Sequence, residues 1–164
     1  MTVKYGIYVL IYLIILIVEA SIIPFFAIQG IAPDLKMIFL VFICLKESRN
    51  VSTIAGFFAG VFQDIFTIST LGISSLSKSI VCFLISFFRS ISEDYSTLFV
   101  GAIVFIAVSS QELIYQLIQT VGAESSFMRM IILFIIPKSI YTAIWGILIN
   151  LILSRRLWKK PSYT

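Results

Sequence analysis

Long runs of apolar positions, broken at short intervals by Pro, Gly and charged residues, set the pattern of this chain. Six runs stand out, at residues 5–28, 35–45, 51–66, 71–88, 98–119 and 127–153. Each reads as a helix, and together they predict an all-α, polytopic membrane protein of about six transmembrane helices packed as a compact bundle. A core of roughly 30 Å needs about 20 residues per spanning helix, so the second run, of only 11, must borrow Pro33, Asp34 and Lys46 to cross. Pro24 kinks or ends the first helix, and Gly30 with Pro33 marks the turn that follows. The first run is too long for a cleaved leader, and no A-x-A-like site follows it, so it is expected to be retained. One domain, residues 1–154, accounts for nearly the whole chain, with a short basic tail at 155–164.

Composition sharpens this picture. The chain is 60% hydrophobic and only 12% charged, where soluble domains carry about 25% charged residues. It contains no His, which removes histidine general bases, Ser-His-Asp and Cys-His arrangements, and His-built metal sites. Cys44 and Cys82 lie in apolar runs without CxxC spacing and read as packing residues. The acids Glu19, Asp64 and Glu112 stand singly, with no nucleophile elbow beside them. Neither an enzyme nor a cofactor nor a metal site is expected.

Net charge is +4, and the cations fall at alternate helix ends. With the N-terminus in the cytoplasm, that side receives Lys4, Lys46, Arg49, Arg89, Arg155, Arg156, Lys159 and Lys160, whereas only Lys36 and Arg129 belong to the other. This is the positive-inside bias. An even number of helices returns both termini to the cytoplasm. There Arg155, Arg156, Lys159 and Lys160, anchored by Trp158, face anionic lipids, each cation being worth about 1 kcal/mol. Membrane rather than nucleic acid is the partner this charge implies.

Three features carry candidate function. Gly56 and Gly60, overlapped by Ala55 and Ala59, form a GxxxG on the third helix, where small residues let two backbones approach closely in lipid. The contact is either a seam inside the molecule or one between molecules. Glu19, Lys78, Glu112 and Lys138 fall well inside the apolar runs. Left unpaired at about 2.5–3.5 kcal/mol each they would cost on the order of 12 kcal/mol, so a neutralised buried network of two acids and two bases is expected. Depth, counted at about 1.5 Å per residue, ranks Lys78 first as the partner of Glu112 or Glu19, with Lys138 second. Finally, Ser109, Glu112, Gln116 and Gln119 share one face of the fifth helix, and Ser75, Lys78, Ser79, Cys82 and Ser86 one face of the fourth. Those stripes are consistent with interhelical pairing, a solute path or a docking face. Pro137, beside Lys138, permits a kink in the last helix.

The segments Pro33-Asp34-Leu35, Gly56-Phe57-x-x-Gly60-x-x-x-Asp64 and Leu71-Gly72-x-x-x-Leu76 resemble, in order and spacing, the pattern of the bacterial rod shape-determining MreD family. There a Pro-Asp-Leu opens the second helix, a GF..G...D runs through the third and an LG begins the fourth. Lys36 departs from that family's apolar second helix. The resemblance implies a non-enzymatic inner-membrane component of the cell-elongation complex, which binds MreC and helps couple MreB filaments to RodA and its penicillin-binding transpeptidase. It also implies a fold similar to the substrate-binding subunits of vitamin transporters. A small-solute binding subunit is therefore the competing functional expectation, and it requires a polar cavity of a few hundred cubic ångströms open to one side.

Overall fold

Where a chain is apolar all round a helix, that helix belongs at the centre, and the segment LKMIFLVFICLK is such a case. The computed structural model, which describes residues 2–27, 30–66, 72–88, 96–119 and 131–157, places this segment in the middle of the molecule. The described residues form six α-helices: α1 (Thr2–Ser21), α2 (Leu35–Lys46), α3 (Arg49–Phe66), α4 (Ile73–Phe88), α5 (Thr97–Gln119) and α6 (Ile136–Leu157). Among the described residues there is no strand pairing of regular length. Helix α2 touches each of the other five, and Met37, Ile38, Leu40, Val41, Ile43, Cys44 and Leu45 are buried along it. Its 12 residues rise about 18 Å, short of a bilayer core. Surrounding helices, rather than length, shield it from lipid.

The outer helices are built inside-out. Ser52, Gly56, Ala59, Gly60 and Asp64 are buried on α3, while Ile54, Phe57, Phe58, Ile65 and Phe66 are exposed. On α4 the buried set includes Ser74, Ser75, Ser77 and Lys78, and Leu76, Ile80, Phe83, Leu84 and Phe87 face out. A soluble monomer does not expose contiguous apolar surface on this scale. In lipid the outward faces are matched to their solvent, and the small and polar positions serve for helix contacts. Among the described residues three spans, Lys4–Ser21, Thr97–Ile118 and Ile131–Ile152, are long and apolar enough to cross a membrane. The protein is an all-α membrane protein.

Helix boundaries follow local chemistry. α1 ends at Ser21, ahead of Pro24, and a single 3-10 turn, Ile23–Phe26, follows; the apolar run to residue 28 is thus not one helix, because Pro24 has no amide hydrogen to continue it. Gly30, with φ +82°, turns the chain toward Pro33 in a conformation that costs glycine little. Helix α6 is entered through a π-helical turn, Ile131–Ile135. Pro137, just inside α6, removes the amide that Leu133's carbonyl would take in an α-helix, and a wider turn is the local accommodation. Arg155 and Arg156 lie in the last turn of α6; Lys159 and Lys160 fall outside the described residues, as do Leu71, Arg89 and Arg129.

Candidate functional site

Two aspartates at the same end of the molecule start helices. Asp34 caps its own helix: the Met37 N–H donates to its Oδ1 at 2.9 Å, as an N-cap side chain does for the third residue of the first turn. Its own N–H donates to Thr142 Oγ1 on α6 at 3.1 Å, so the start of α2 is fixed to a helix 108 residues away in sequence. Pro33 and Asp34 are both buried.

Asp64 caps a helix that is not its own. From the last turn of α3 its Oδ2 accepts the Gly72 N–H at 2.9 Å and the Ser75 hydroxyl at 3.1 Å, with the Ser75 N–H at 3.4 Å. These amides belong to the start of α4, where no α-helical carbonyl exists to receive them. Gly72 adopts φ +100°, which presents its amide to Asp64 at little cost to glycine. Asp64 is 2% exposed, so it is a buried tie between α3 and α4 rather than a solvated helix end.

The same two helices meet at the Gly56-Gly60 face. A Cβ on Gly60 would lie 2.2 Å from Ser75 Cα and 2.5 Å from its backbone N; one on Gly56 would lie 2.8 Å from the Lys78 carbonyl oxygen. Backbone meets backbone here. The GxxxG is an intramolecular seam, and Cys82, whose Sγ would lie 2.8 Å from a Cβ at Gly56, packs against it.

Deeper charges pair differently from the depth ranking. Lys138 Nζ lies 2.5 Å from Glu112 Oε1, and Glu19 binds Lys36 twice, through Nζ at 2.6 Å and through the backbone N–H at 3.2 Å. Lys78 is fully buried and donates to Gln63 Oε1, within electrostatic reach of Asp34, Glu19, Lys36 and Lys138. Depth placed Lys78 correctly in the interior but not its azimuth: its face of α4 turns to α3, whereas Glu112 turns to α6. Lys36, unassigned by the sequence pattern except as an outer-side cation, is the counter-ion of Glu19. Two ion pairs, Glu19–Lys36 and Glu112–Lys138, thus stand where one network of four was expected, with Lys78 held by Gln63 and Asp34 by the start of its own helix.

The polar stripes resolve in the same way. On α5, Ser109 donates to Ser139 Oγ at 2.9 Å, one turn from the Glu112–Lys138 pair. On α4, Ser75 serves the Asp64 tie and Ser86 bonds back to the Phe83 carbonyl. Ser109 and Glu112 of the first stripe meet α6 and Ser75 of the second meets α3, whereas Ser79 and Ser86 bond back to carbonyls of their own helix. A cleft of about 370 Å³ remains beside the pair, lined by Glu19, Asp34, Glu112, Gln116 and Lys138 together with apolar residues of the 30–35 turn and the π-helical turn.

At the opposite end Lys4 pairs with Glu47 at 2.5 Å, Tyr8 donates to Glu47 at 2.9 Å, and the Arg49 guanidinium stacks 3.8 Å from the centre of the Phe87 ring. These contacts clip α1, the α2–α3 turn and α4 together.

A family model described as rod shape-determining protein MreD matches residues 2–159, nearly the whole chain. The chain belongs to the MreD family. Its role is in rod shape determination, and the three MreD motifs now have structural meanings: Pro33-Asp34-Leu35 is a helix cap docked on α6, Gly56 and Gly60 are the α3–α4 seam, and Asp64 with Gly72 is a cap made across that seam. Of the other motif residues, Phe57 and Leu76 are exposed on outward faces, and Leu71 lies outside the described residues. No curated protein and no solved structure gives a significant match, so the likeness to transporter subunits rests on the sequence resemblance.

Proposed function

We propose that this chain is a non-enzymatic scaffold of the cell-elongation complex, binding MreC in the inner membrane and helping to couple MreB to peptidoglycan synthesis by RodA and its transpeptidase. The observation that carries this reading is where the family motif residues go. Asp34, Gly56, Gly60, Asp64 and Gly72 are occupied in caps and backbone contacts within the fold. Conserving shape in this way leaves the apolar outward faces, such as that of Phe57, Phe58 and Ile54 on α3, for contact with other membrane helices.

Orientation follows from charge. The end bearing Lys4, Lys46 and Arg49 faces the cytoplasm under the positive-inside rule, with both termini there, and the Arg155, Arg156, Lys159 and Lys160 segment lies at anionic lipids. Reporter fusions at Ser48 and after Thr164 should read cytoplasmic, and fusions at Thr70 or Gly122 external; Ser48 and Thr164 on opposite sides would refute this topology.

Depletion in a rod-shaped host tests the function itself. Rounded or widened cells are expected, with MreC recovered alongside the purified protein; unaltered rods after full depletion, in a host with no second copy, would overturn the scaffold. The polar cleft gives the solute-binding reading one specific support, since it has the volume such a site needs. A vitamin and an ATPase module in the same purification would favour that reading instead.

A further inference from the structure

The cleft beside the Glu112–Lys138 pair is unlike a packing defect. Its walls bring carboxylates from two directions, Glu19 on α1 and Glu112 on α5, and an ammonium group, Lys138 on α6, whose side chain is 31% exposed. Its floor is the capped start of α2 at Asp34. One rim is the π-helical turn, which contributes Phe134 and Ile135, and π-helical turns recur at functional sites. Next to that rim Ile132, Leu133 and Phe134 are exposed to lipid. The cleft therefore joins a two-signed polar chamber to an apolar outer surface, and an amphiphile fits both parts.

Charge selects among amphiphiles. An anionic headgroup without an amine that drew Lys138 away from Glu112 would leave that carboxylate without a cation, since Lys36 is already held by Glu19. A quaternary ammonium has no N–H to donate and is recognised by aromatic cages, whereas Phe134 is the one aromatic ring among the described lining residues. A primary ammonium offers three donors to carboxylates, and charge-assisted bonds of this kind are the stronger ones. A phosphate beside it would find Lys138.

We propose that this cleft binds a phosphoethanolamine group, its ammonium held by Glu19 and Glu112 and its phosphate by Lys138. The Ile132–Phe134 surface takes the acyl chains when the group belongs to a phospholipid. This site goes beyond the scaffold reading and does not depend on which protein partner is bound.

Native mass spectrometry of the full-length protein decides it. Phosphatidylethanolamine, phosphatidylcholine and phosphatidylglycerol of identical acyl chains are offered together. One or two charge-assisted bonds predict retention of the ethanolamine lipid about tenfold above either of the others. Ala32→Trp, which fills the cleft without removing a charge, should abolish that preference, while Ala102→Trp on the exposed face of α5 should preserve it. Free phosphoethanolamine at millimolar concentration that displaces the lipid would confirm the headgroup chemistry and show that a soluble source suffices; failure to displace would assign the source to the lipid. Equal retention of the three lipids overturns the proposal, as does undiminished preference in folded Ala32→Trp. If Ala32→Trp does not fold, the headgroup comparison on the wild-type protein decides alone.

Discussion

The α3–α4 and α5–α6 contacts hold two helix pairs together by opposite means. Between α3 and α4 the atoms in contact are backbone: Gly60 against Ser75 N and Cα, Gly56 against the Lys78 carbonyl, with Asp64 reaching across to cap the partner helix. Between α5 and α6 the glycines meet side chains, Gly101 the tip of Ile147 and Gly146 the methyls of Val104. Direction comes there from Ser109–Ser139, Glu112–Lys138 and the 3.4 Å contact of Asn150 with Thr97. A backbone contact has no rotamers with which to yield, and a side-chain contact has several. The first seam is thus rigid and the second adjustable, and it is the adjustable one that borders the polar cleft.

The largest effect expected from this contrast is at Gly60. Even the Cβ of Ala would sit 2.2 Å from Ser75 Cα, and the backbones must separate to admit it; inserting a methyl into well-packed structure costs about 1–3 kcal/mol and sometimes more. Gly60→Leu should abolish recovery of monodisperse protein from the membrane, and Gly60→Ala should lower its thermal midpoint in detergent clearly. Wild-type behaviour of both would remove the rigid seam.

Asp64→Ala comes next. It strips the Gly72 and Ser75 donors of their acceptor in a buried place, and a hydrogen bond to a charged group is worth about 1.5–3 kcal/mol. Asp34→Ala should cost less, about 1 kcal/mol, as an N-cap lost from a helix that the whole core still surrounds. Thermal midpoints of the two variants measured side by side test the order; an Asp34 loss larger than that of Asp64 would mean the cis cap, not the cross-helix one, organises this end.

What could be read from sequence divides along the same line. Asp34 works within four residues of itself, so Pro-Asp-Leu at the head of an apolar run already points to a helix start. Small residues four apart on α3 point to a close approach for the same reason. Asp64 works across a turn onto another helix, and local spacing left open whether it capped, paired or was merely solvated. The ion pairs were legible as a need for neutrality, since four charges cannot face lipid, but not as partners. Depth along the membrane normal orders Lys78 and Lys138, yet rotation about each helix axis decides which carboxylate they meet, and that is set by packing. Lys36 shows the limit well: as a charge in an apolar helix it looked like an outer-side cation, and only the fold places Glu19 beside it.

The adjustable seam yields smaller effects. Glu112→Gln leaves Lys138 without its counter-ion and should lower stability, and adding Lys138→Met should restore part of it, since removing both charges also removes their desolvation cost. Interhelical polar contacts in membranes are worth about 0.6–1.7 kcal/mol, which sets the coupling expected in the double-mutant cycle. The parallel cycle with Lys78→Met should be additive, because Lys78 is engaged with Gln63. Coupling of Glu112 to Lys78 and not to Lys138 would reverse the assignment.

Smallest of all should be the glycine substitutions of α5 and α6. At Gly101 a Cβ meets Ile147 Cδ1 and Cγ1 at 2.7 Å, the mobile end of a side chain that can rotate aside. At Gly146 the nearest atom, Val104 Cγ2, is already 3.2 Å away, and only a few tenths of an ångström are needed. Replacing a mid-helix glycine by alanine also gains up to about 1 kcal/mol in helix propensity. That gain opposes the crowding, so Gly146→Ala should leave the thermal midpoint unchanged or slightly raised, with Gly101→Ala just below it. A loss at Gly146→Ala comparable to that at Gly60→Ala would show that the two seams are equally rigid, and the distinction between backbone and side-chain contact would then fail as the account of how this bundle is held.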